Sequence, residues 1–419
     1  MLIEDGYVVT NYHVVWPYEQ ARVVFPDGSD YRDAPVLAWD PLVDLALIGP
    51  LETAISPLEL ADGEDLVIGS EVFFVGYPGE SDEYPQPTIA RGILSRVRQW
   101  EAAGITYFQS DAAIAGGQSG GVLVSESGEV IGITGFSFGE GNFGLAASVL
   151  DILPRLERLM AGDDVGGIGS RRLPVSGGEQ SDPYVTLKHR WDHQIYVIRE
   201  PVGTRIEISA DGGEADIALV VYDVYGAAPV YADDGAPGPE ALTLVTEWDL
   251  PYFVGLFQYS PSSMTVSVEA SHDLIPYLDL DDGRGVAKEQ TIYGYLDHPG
   301  DTDYFALPLK KGETVNVLVD SILINPYLMI AQPGDPEEAW VFDYSSGGGL
   351  FGTNPELTFA APDRGLYLII VQDVGEYSCC GYYPQQGGYS LEIREPYTGA
   401  PTPVAPKPSA TPTPGDSGS

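Results

Sequence analysis

The 419-residue sequence predicts an all-β protein of several domains. Three observations carry that reading. Residues 1 to about 149 break into short apolar segments punctuated by Gly and Pro turns. Two later stretches, 181–271 and 276–395, repeat one another block by block, with apolar and polar positions alternating at period two. At 44% hydrophobic residues the chain is too long for one ordinary domain and apolar enough for two or three cores.

Taken in order, strands are expected at Tyr7 to Thr10, Arg22 to Phe25 before the turn Pro26-Asp27-Gly28, Val72 to Val75 before Gly76-Tyr77-Pro78-Gly79, and Val130 to Thr134. Many short strands with this punctuation form an antiparallel barrel or sandwich. Leu150, Leu153, Leu156 and Leu159 then switch to helical spacing over Leu150 to Met160, and Gly162 ends the helix. The first domain therefore spans 1–162, and 163–180, with Gly166-Gly167-Ile168-Gly169-Ser170, reads as a linker.

In the repeat, Ile195-Tyr196-Val197-Ile198 and Gly203 to Ile208 correspond to Tyr304-Phe305-Ala306-Leu307 and Gly312 to Val317. Tyr252-Phe253-Val254 and Met264 to Val268 likewise correspond to Tyr367-Leu368-Ile369 and Tyr389 to Ile393. Both copies are β-sandwich candidates. Residues 396–419, with Pro401-Thr402-Pro403 and Thr411-Pro412-Thr413-Pro414, cannot bury a core and are expected to be a disordered stalk or tail.

The net charge of −42 opposes nucleic acid and anionic membrane surfaces as partners. No apolar run approaches the roughly 18 residues of a membrane span, and no signal peptide precedes the first strand. The only two cysteines, Cys379 and Cys380, are adjacent, so no disulfide framework or Cys-rich metal site is built. Nothing explains their place in a Gly/Tyr-rich insertion of the second repeat.

Hydrolysis by a side-chain nucleophile needs a base, a group that orients the base, and donors for the oxyanion. The first domain holds one histidine, His13, and no cysteine, so it can build only one Ser/His pair. Asp44, in Asp40-Pro41-Leu42-Val43-Asp44-Leu45-Ala46, is flanked by apolar residues, and a buried carboxylate requires a partner such as an imidazole N–H. Ser119 stands in Gly116-Gly117-Gln118-Ser119-Gly120-Gly121, where glycines permit a tight turn exposing the hydroxyl and aiming the Gly117 and Ser119 amides at one point. Singly, these are a structural histidine, a strand-entry aspartate and a glycine turn; their order in one domain is what raises them together.

Thr10-Asn11-Tyr12-His13-Val14-Val15, Asp44-Leu45-Ala46-Leu47-Ile48 and Gly117-Gln118-Ser119-Gly120-Gly121 resemble the HtrA (DegP-like) family of trypsin-fold serine proteases. The resemblance covers most of 1–160 and implies a chymotrypsin-like double β-barrel with no metal or cofactor. Ser119 would be the nucleophile, His13 the base, Asp44 its orienting group, and the Gly117 and Ser119 amides the oxyanion hole. Ala113, Ile114 and Phe136 would line a primary pocket for small to medium apolar residues. Gln118 replaces the family's usual Asn, and being neutral it cannot pair with a newly cut N-terminus. The family also has further first-barrel strands and an export signal before the position of Met1, so the first barrel is expected to be incomplete here, with a mis-called start or a fragment as the favoured cause.

No PDZ-like partner domain is evident. Instead Pro299-Gly300-Asp301-Thr302-Asp303-Tyr304-Phe305 and its flanks resemble the bacterial pre-peptidase C-terminal (PPC) domain, and 181–271 resembles a degenerate copy with Asp192-His193-Gln194 at the Asp-x-Asp position. Asp301 and Asp303 are a candidate Ca²⁺ pair, against the commoner role of turn formation. His189 and His193 have metal-pair spacing but strand-like surroundings and no evident third ligand, and Asp279, Asp281 and Asp282 read as a solvated segment. The expected function is a secreted or cell-surface serine endopeptidase acting on proteins or peptides, with accessory sandwiches for attachment to a surface or polymer. The competing reading is a non-catalytic binding protein that uses the protease fold as a scaffold.

Overall fold

The computed structural model describes residues 1–61, 66–79, 86–114, 117–138, 143–162, 182–224, 226, 230–279, 281–334, 341–344, 354–374, 376–378, 381–383 and 387–396. The expected linker after Gly162, the tail beyond residue 396, and Cys379 and Cys380 lie outside these residues.

The chain opens with strand β1 (Val8–Thr10), a one-turn helix α1 (Tyr12–Val15), and strands β2 (Gln20–Val24), β3 (Asp30–Asp40) and β4 (Leu45–Ile48). They pair antiparallel in the order β1-β4-β3-β2 as an open sheet. Six further strands close a barrel: β5 (Glu71–Gly76), β6 (Thr88–Trp100), β7 (Ile105–Ser110), β8 (Val122–Ser125), β9 (Val130–Phe138) and β10 (Phe143–Ser148), ordered β10-β7-β6-β5-β8-β9. Alternation drives this closure. Val72, Phe74, Leu94, Phe108, Leu123, Ile131 and Ala146 point inward and form the barrel core.

Helix α2 (Val149–Ala161) follows and ends at Gly162, whose left-handed φ of 79° closes the last turn. Its buried face is Val149, Ile152, Leu156 and Leu159, whereas Leu150 is exposed. The expected every-third-residue leucine row is thus only half right, because a 3.6-residue period rotates such a row off the core. Asp151 Oδ2 accepts the Thr106 N–H at 2.7 Å, and Arg155 pairs with buried Asp40, so the helix joins the barrel to the open sheet.

The two repeats share one topology. The first has a four-stranded sheet in the order Tyr184–Leu187, Met264–Ala270, Arg205–Asp211, Pro239–Val245. It is matched in the second by Gln290–Leu296, Gly387–Arg394, Thr314–Ser321, Glu356–Ala360. The facing five-stranded sheets share the run Val230–Ala232, Ile217–Asp223, Tyr252–Gln258, Gln194–Ile198, matched by Val341–Tyr344, Pro326–Ala331, Gly365–Asp373, Thr302–Leu309. Each sandwich fills its own core, with Ile206, Leu219 and Val254 in one and Val317, Leu328 and Ile369 in the other.

The open sheet does not end in solvent. Val9, Tyr12, Trp39, Leu42 and Leu47 belong to one continuous core with Ile195, Val197 and Phe253 of the first sandwich and Tyr295 of the second. Tyr12 meets Tyr295 edge-on at 5.9 Å, the Tyr293 hydroxyl donates to Ala102 O at 2.6 Å, and Trp100 Nε1 donates to Ser390 Oγ at 3.3 Å.

Candidate active site

The site lies between the open sheet and the closed barrel. From the end of β1, Asn11 leads in extended conformation into α1, whose single turn places His13 at its second position. Asp44 sits in the β3–β4 connection at φ 57°, a left-handed conformation that Asp tolerates better than most residues. It is fully buried, as a carboxylate flanked by Leu42, Val43 and Leu45 must be.

Two bonds fasten the pair. Asp44 Oδ1 accepts the His13 backbone N–H at 2.9 Å, and Oδ2 lies 2.7 Å from His13 Nδ1. With Nδ1–H committed to the carboxylate, Nε2 carries the lone pair of the neutral ring. The imidazole is 39% exposed. Burial pulls its pKa down, but the charge and hydrogen bond of Asp44 outweigh that and leave it above the ordinary histidine value.

Ser119 follows the turn that leads into β8 and is half-buried. Gly117 (φ 89°) and Gly120 (φ 76°) adopt conformations that side chains resist, and a Cβ at either would collide with Gly79 or Thr10 respectively. The Gly120 N–H donates to Asn11 Oδ1 at 2.6 Å and to Thr134 O at 2.9 Å. Thr134 Oγ1 donates to Gln118 O at 2.7 Å, and the Gln118 amide donates to Thr88 Oγ1. Barrel strand β9 also closes on the acid, since a Cβ at Gly135 would stand 3.5 Å from Asp44 Oδ2.

Asn11 is the participant that sequence reasoning missed. Its Nδ2 donates to Asp44 O at 2.9 Å while its Oδ1 holds Gly120, so one side chain spans the loops of the expected acid and nucleophile. Of the expected pocket residues, Ala113 is exposed and Ile114 half-buried, with its Cδ1 close over Gly144. Phe136 pairs with Leu145 through the backbone, and its side chain lies outside what is described.

Away from this cleft the sequence expectations change. The stretch read as solvated is largely enclosed: Asp281 is buried and its Oδ2 accepts the Tyr295 N–H at 2.9 Å. His193 does not pair with His189; it faces His298 and Asp301 of the other repeat. A helical i, i+4 test could not find a partner supplied by a different domain.

An open antiparallel sheet and a closed six-stranded barrel thus hold the His13–Asp44 pair and the Gly-framed turn of Ser119, joined through Asn11. Residues 1–133 match the family described as trypsin-like peptidase domain. The chain is 37% identical over 137 residues to the magnetosome formation protease MamE of Paramagnetospirillum magneticum, covering 31% of this chain and 18% of that one. It is 33% identical over 138 residues to the chloroplastic Protease Do-like 1 of Arabidopsis thaliana, covering 31% and 30%. It is 32% identical over 153 residues to a probable periplasmic DegP-like serine endoprotease of Halomonas elongata, covering 36% and 31%. The aligned part is thus under a third of each of these relatives. A solved HtrA-type protease with a bound decapeptide aligns at 26% identity and TM-score 0.35, over 38% of this chain and 49% of that one. No described helix is long and apolar enough to cross a membrane.

Proposed function

We propose that this chain is a serine endopeptidase that hydrolyses peptide bonds of protein substrates with Ser119, His13 and Asp44. The observation that carries the proposal is the His13 Nδ1–Asp44 Oδ2 bond of 2.7 Å to a fully buried carboxylate. It leaves Nε2 as the base in a domain that offers no other histidine.

In this reading His13 Nε2 takes the Ser119 hydroxyl proton as Oγ bonds to the scissile carbonyl carbon. The carbonyl oxygen gains the negative charge and is held by the Gly117 and Ser119 amides. The C–N bond then breaks as His13 returns the proton to the leaving amine, and water repeats the sequence to release the acyl group. Ala113, Ile114 and Phe136 favour a small to medium apolar residue before the cut. The sandwiches are read as PPC-like accessory domains, at 181–271 and 276–395, that attach the enzyme to a surface or polymer. The periplasmic relatives and the net charge of −42 support action outside the cytoplasm.

A fluorophosphonate probe on the full chain tests the reading. Labelling that disappears in Ser119→Ala supports it, and wild-type protein that resists labelling while folded supports the non-catalytic scaffold.

A further inference from the structure

The two sandwiches meet through equivalent turns. Asp192-His193-Gln194 precedes one inner strand and Asp301-Thr302-Asp303 opens its counterpart, and Asp192 Oδ1 accepts the Tyr304 hydroxyl across the junction at 3.0 Å. Three donors converge there. His298 Nε2 lies 3.4 Å and His193 Nε2 3.8 Å from the same oxygen, Asp301 Oδ1, and all three atoms are within 4.8 Å of one another.

Both imidazoles are set for coordination. His193 Nδ1 faces Trp191 O at 3.3 Å and His298 Nδ1 faces Pro299 O at 3.1 Å, which puts the proton on Nδ1 and the lone pair on Nε2. The rings are clamped by stacking, His193 on Phe257 at 5.5 Å and His298 on Phe253 at 5.1 Å. His298 is 1% exposed, and its Nε2 has no hydrogen-bond partner.

The surroundings call for a cation. Asp301 and Asp303 are fully enclosed, Asp303 Oδ1 lacks a hydrogen-bond partner, and Asp282 Oδ2 stands 3.5 Å from His193 Nε2. Among the described residues no Lys or Arg forms an ion pair with Asp282, Asp301 or Asp303. Several carboxylates in one buried space without compensating charge cost several kcal/mol.

We infer that His193, His298 and Asp301 bind one zinc-class divalent cation that clasps the two sandwiches together. A tetrahedral ion with bonds of about 2.0–2.1 Å needs donors roughly 3.4 Å apart, and Asp301 Oδ1 stands 3.4 and 3.8 Å from the two imidazole nitrogens. Calcium prefers six to eight oxygens and has little use for imidazole. One ligand comes from the first sandwich and two from the second, so binding fixes their relative orientation. Asp282, 14% exposed, stands 3.5 Å from His193 Nε2 at the rim of the site.

The test uses the tag-free full chain, stripped with chelator and titrated with Zn²⁺ or Ca²⁺ while metal content and thermal unfolding are followed. One zinc per chain that survives dialysis, raises the unfolding temperature, and is lost in His193→Gln and in His298→Gln but kept in His189→Gln supports the inference. Should either glutamine variant fail to fold, Co²⁺ added to wild-type protein decides: an intense tetrahedral visible spectrum supports the site, an octahedral one overturns it. Absence of stoichiometric zinc also overturns it. So does preferential Ca²⁺ binding abolished by Asp303→Asn, which would assign the space to the overlapping oxygen set Asp279, Asp301 and Asp303.

Discussion

Asn11 and Gly120, 109 residues apart in sequence, are joined by a 2.6 Å bond from the Gly120 N–H to Asn11 Oδ1. The same side chain donates to Asp44 O at 2.9 Å. A buried amide thereby ties the loop of Asp44 to the turn that carries Ser119.

Asn11→Ala removes both bonds, at about 0.5–1.5 kcal/mol each, since the Gly120 N–H keeps Thr134 O and Asp44 O keeps the Tyr12 N–H. Because misplacement of reacting groups by about 1 Å can cost about 100-fold in rate, kcat is expected to fall by up to that factor with KM nearly unchanged. Steady-state kinetics alongside thermal unfolding separates this from simple destabilisation. Equal loss in folded fraction and rate would assign Asn11 a purely structural role.

The pH profile follows from His13. The base must be neutral, and the Asp44 charge and hydrogen bond, acting against burial, raise its pKa. Activity should therefore rise with pH through a midpoint above the ordinary histidine value of about 6.5. In Asp44→Asn that support is gone, so the midpoint moves down and kcat drops about 10⁴-fold, because the imidazole loses its correct tautomer. A profile unmoved by Asp44→Asn would remove Asp44 from the triad.

Gln118 is buried, with its side-chain amide donating to Thr88 Oγ1 and its backbone carbonyl accepting from Thr134 Oγ1. Being neutral, the side chain cannot form an ion pair with a new terminal ammonium, so a removable N-terminal extension should leave kcat/KM the same before and after its cleavage. Activity appearing only after the cut would show that an ion pair forms elsewhere.

In the proposed function specificity rests on Ala113 and Ile114, neither of which can pair with a cationic substrate side chain. Digestion of a peptide library should show cuts after small to medium apolar residues. A strong preference for Arg or Lys would mean that an acid outside these positions lines the pocket.

What was legible in the sequence has a physical pattern. His13 and Ser119 stand out because the domain holds one histidine, no cysteine and a serine framed by glycines, whereas Asp44 is singled out by resemblance, and the structure brings it to His13. The repeat could be read because strand alternation is local, and the matching strand orders of the two sandwiches reflect it. Asn11 could not be assigned a role, since its partners lie 33 and 109 residues away. The histidine–aspartate cluster escaped for the same reason, and Asp281 was read as solvated because burial by a distant Tyr295 leaves no mark on its own segment. The core that the open sheet shares with sandwich residues could not be read either, since it joins segments far apart in sequence.

That shared core ties the two repeats to the open sheet that carries His13 and Asp44. The Gly388 N–H reaches Pro41 O at 3.3 Å, and a Cβ on Gly388 would stand 2.5 Å from Leu42 Cα. Leu42 is fully buried and lies two residues before Asp44, so the last strand of the second sandwich abuts the loop that holds the acid. Gly388→Ala must push backbone against backbone, which costs about 1–3 kcal/mol when a packed interior is overfilled. The expected result is a lowered unfolding temperature together with reduced kcat, because the displaced loop carries Asp44 away from His13. Gly128→Ala, at a turn where nothing lies within 4 Å, provides the comparison: its left-handed φ of 92° strains the local turn, yet it should spare kcat. If both variants lose stability equally and neither loses rate, the second sandwich is a passenger rather than a buttress of the site.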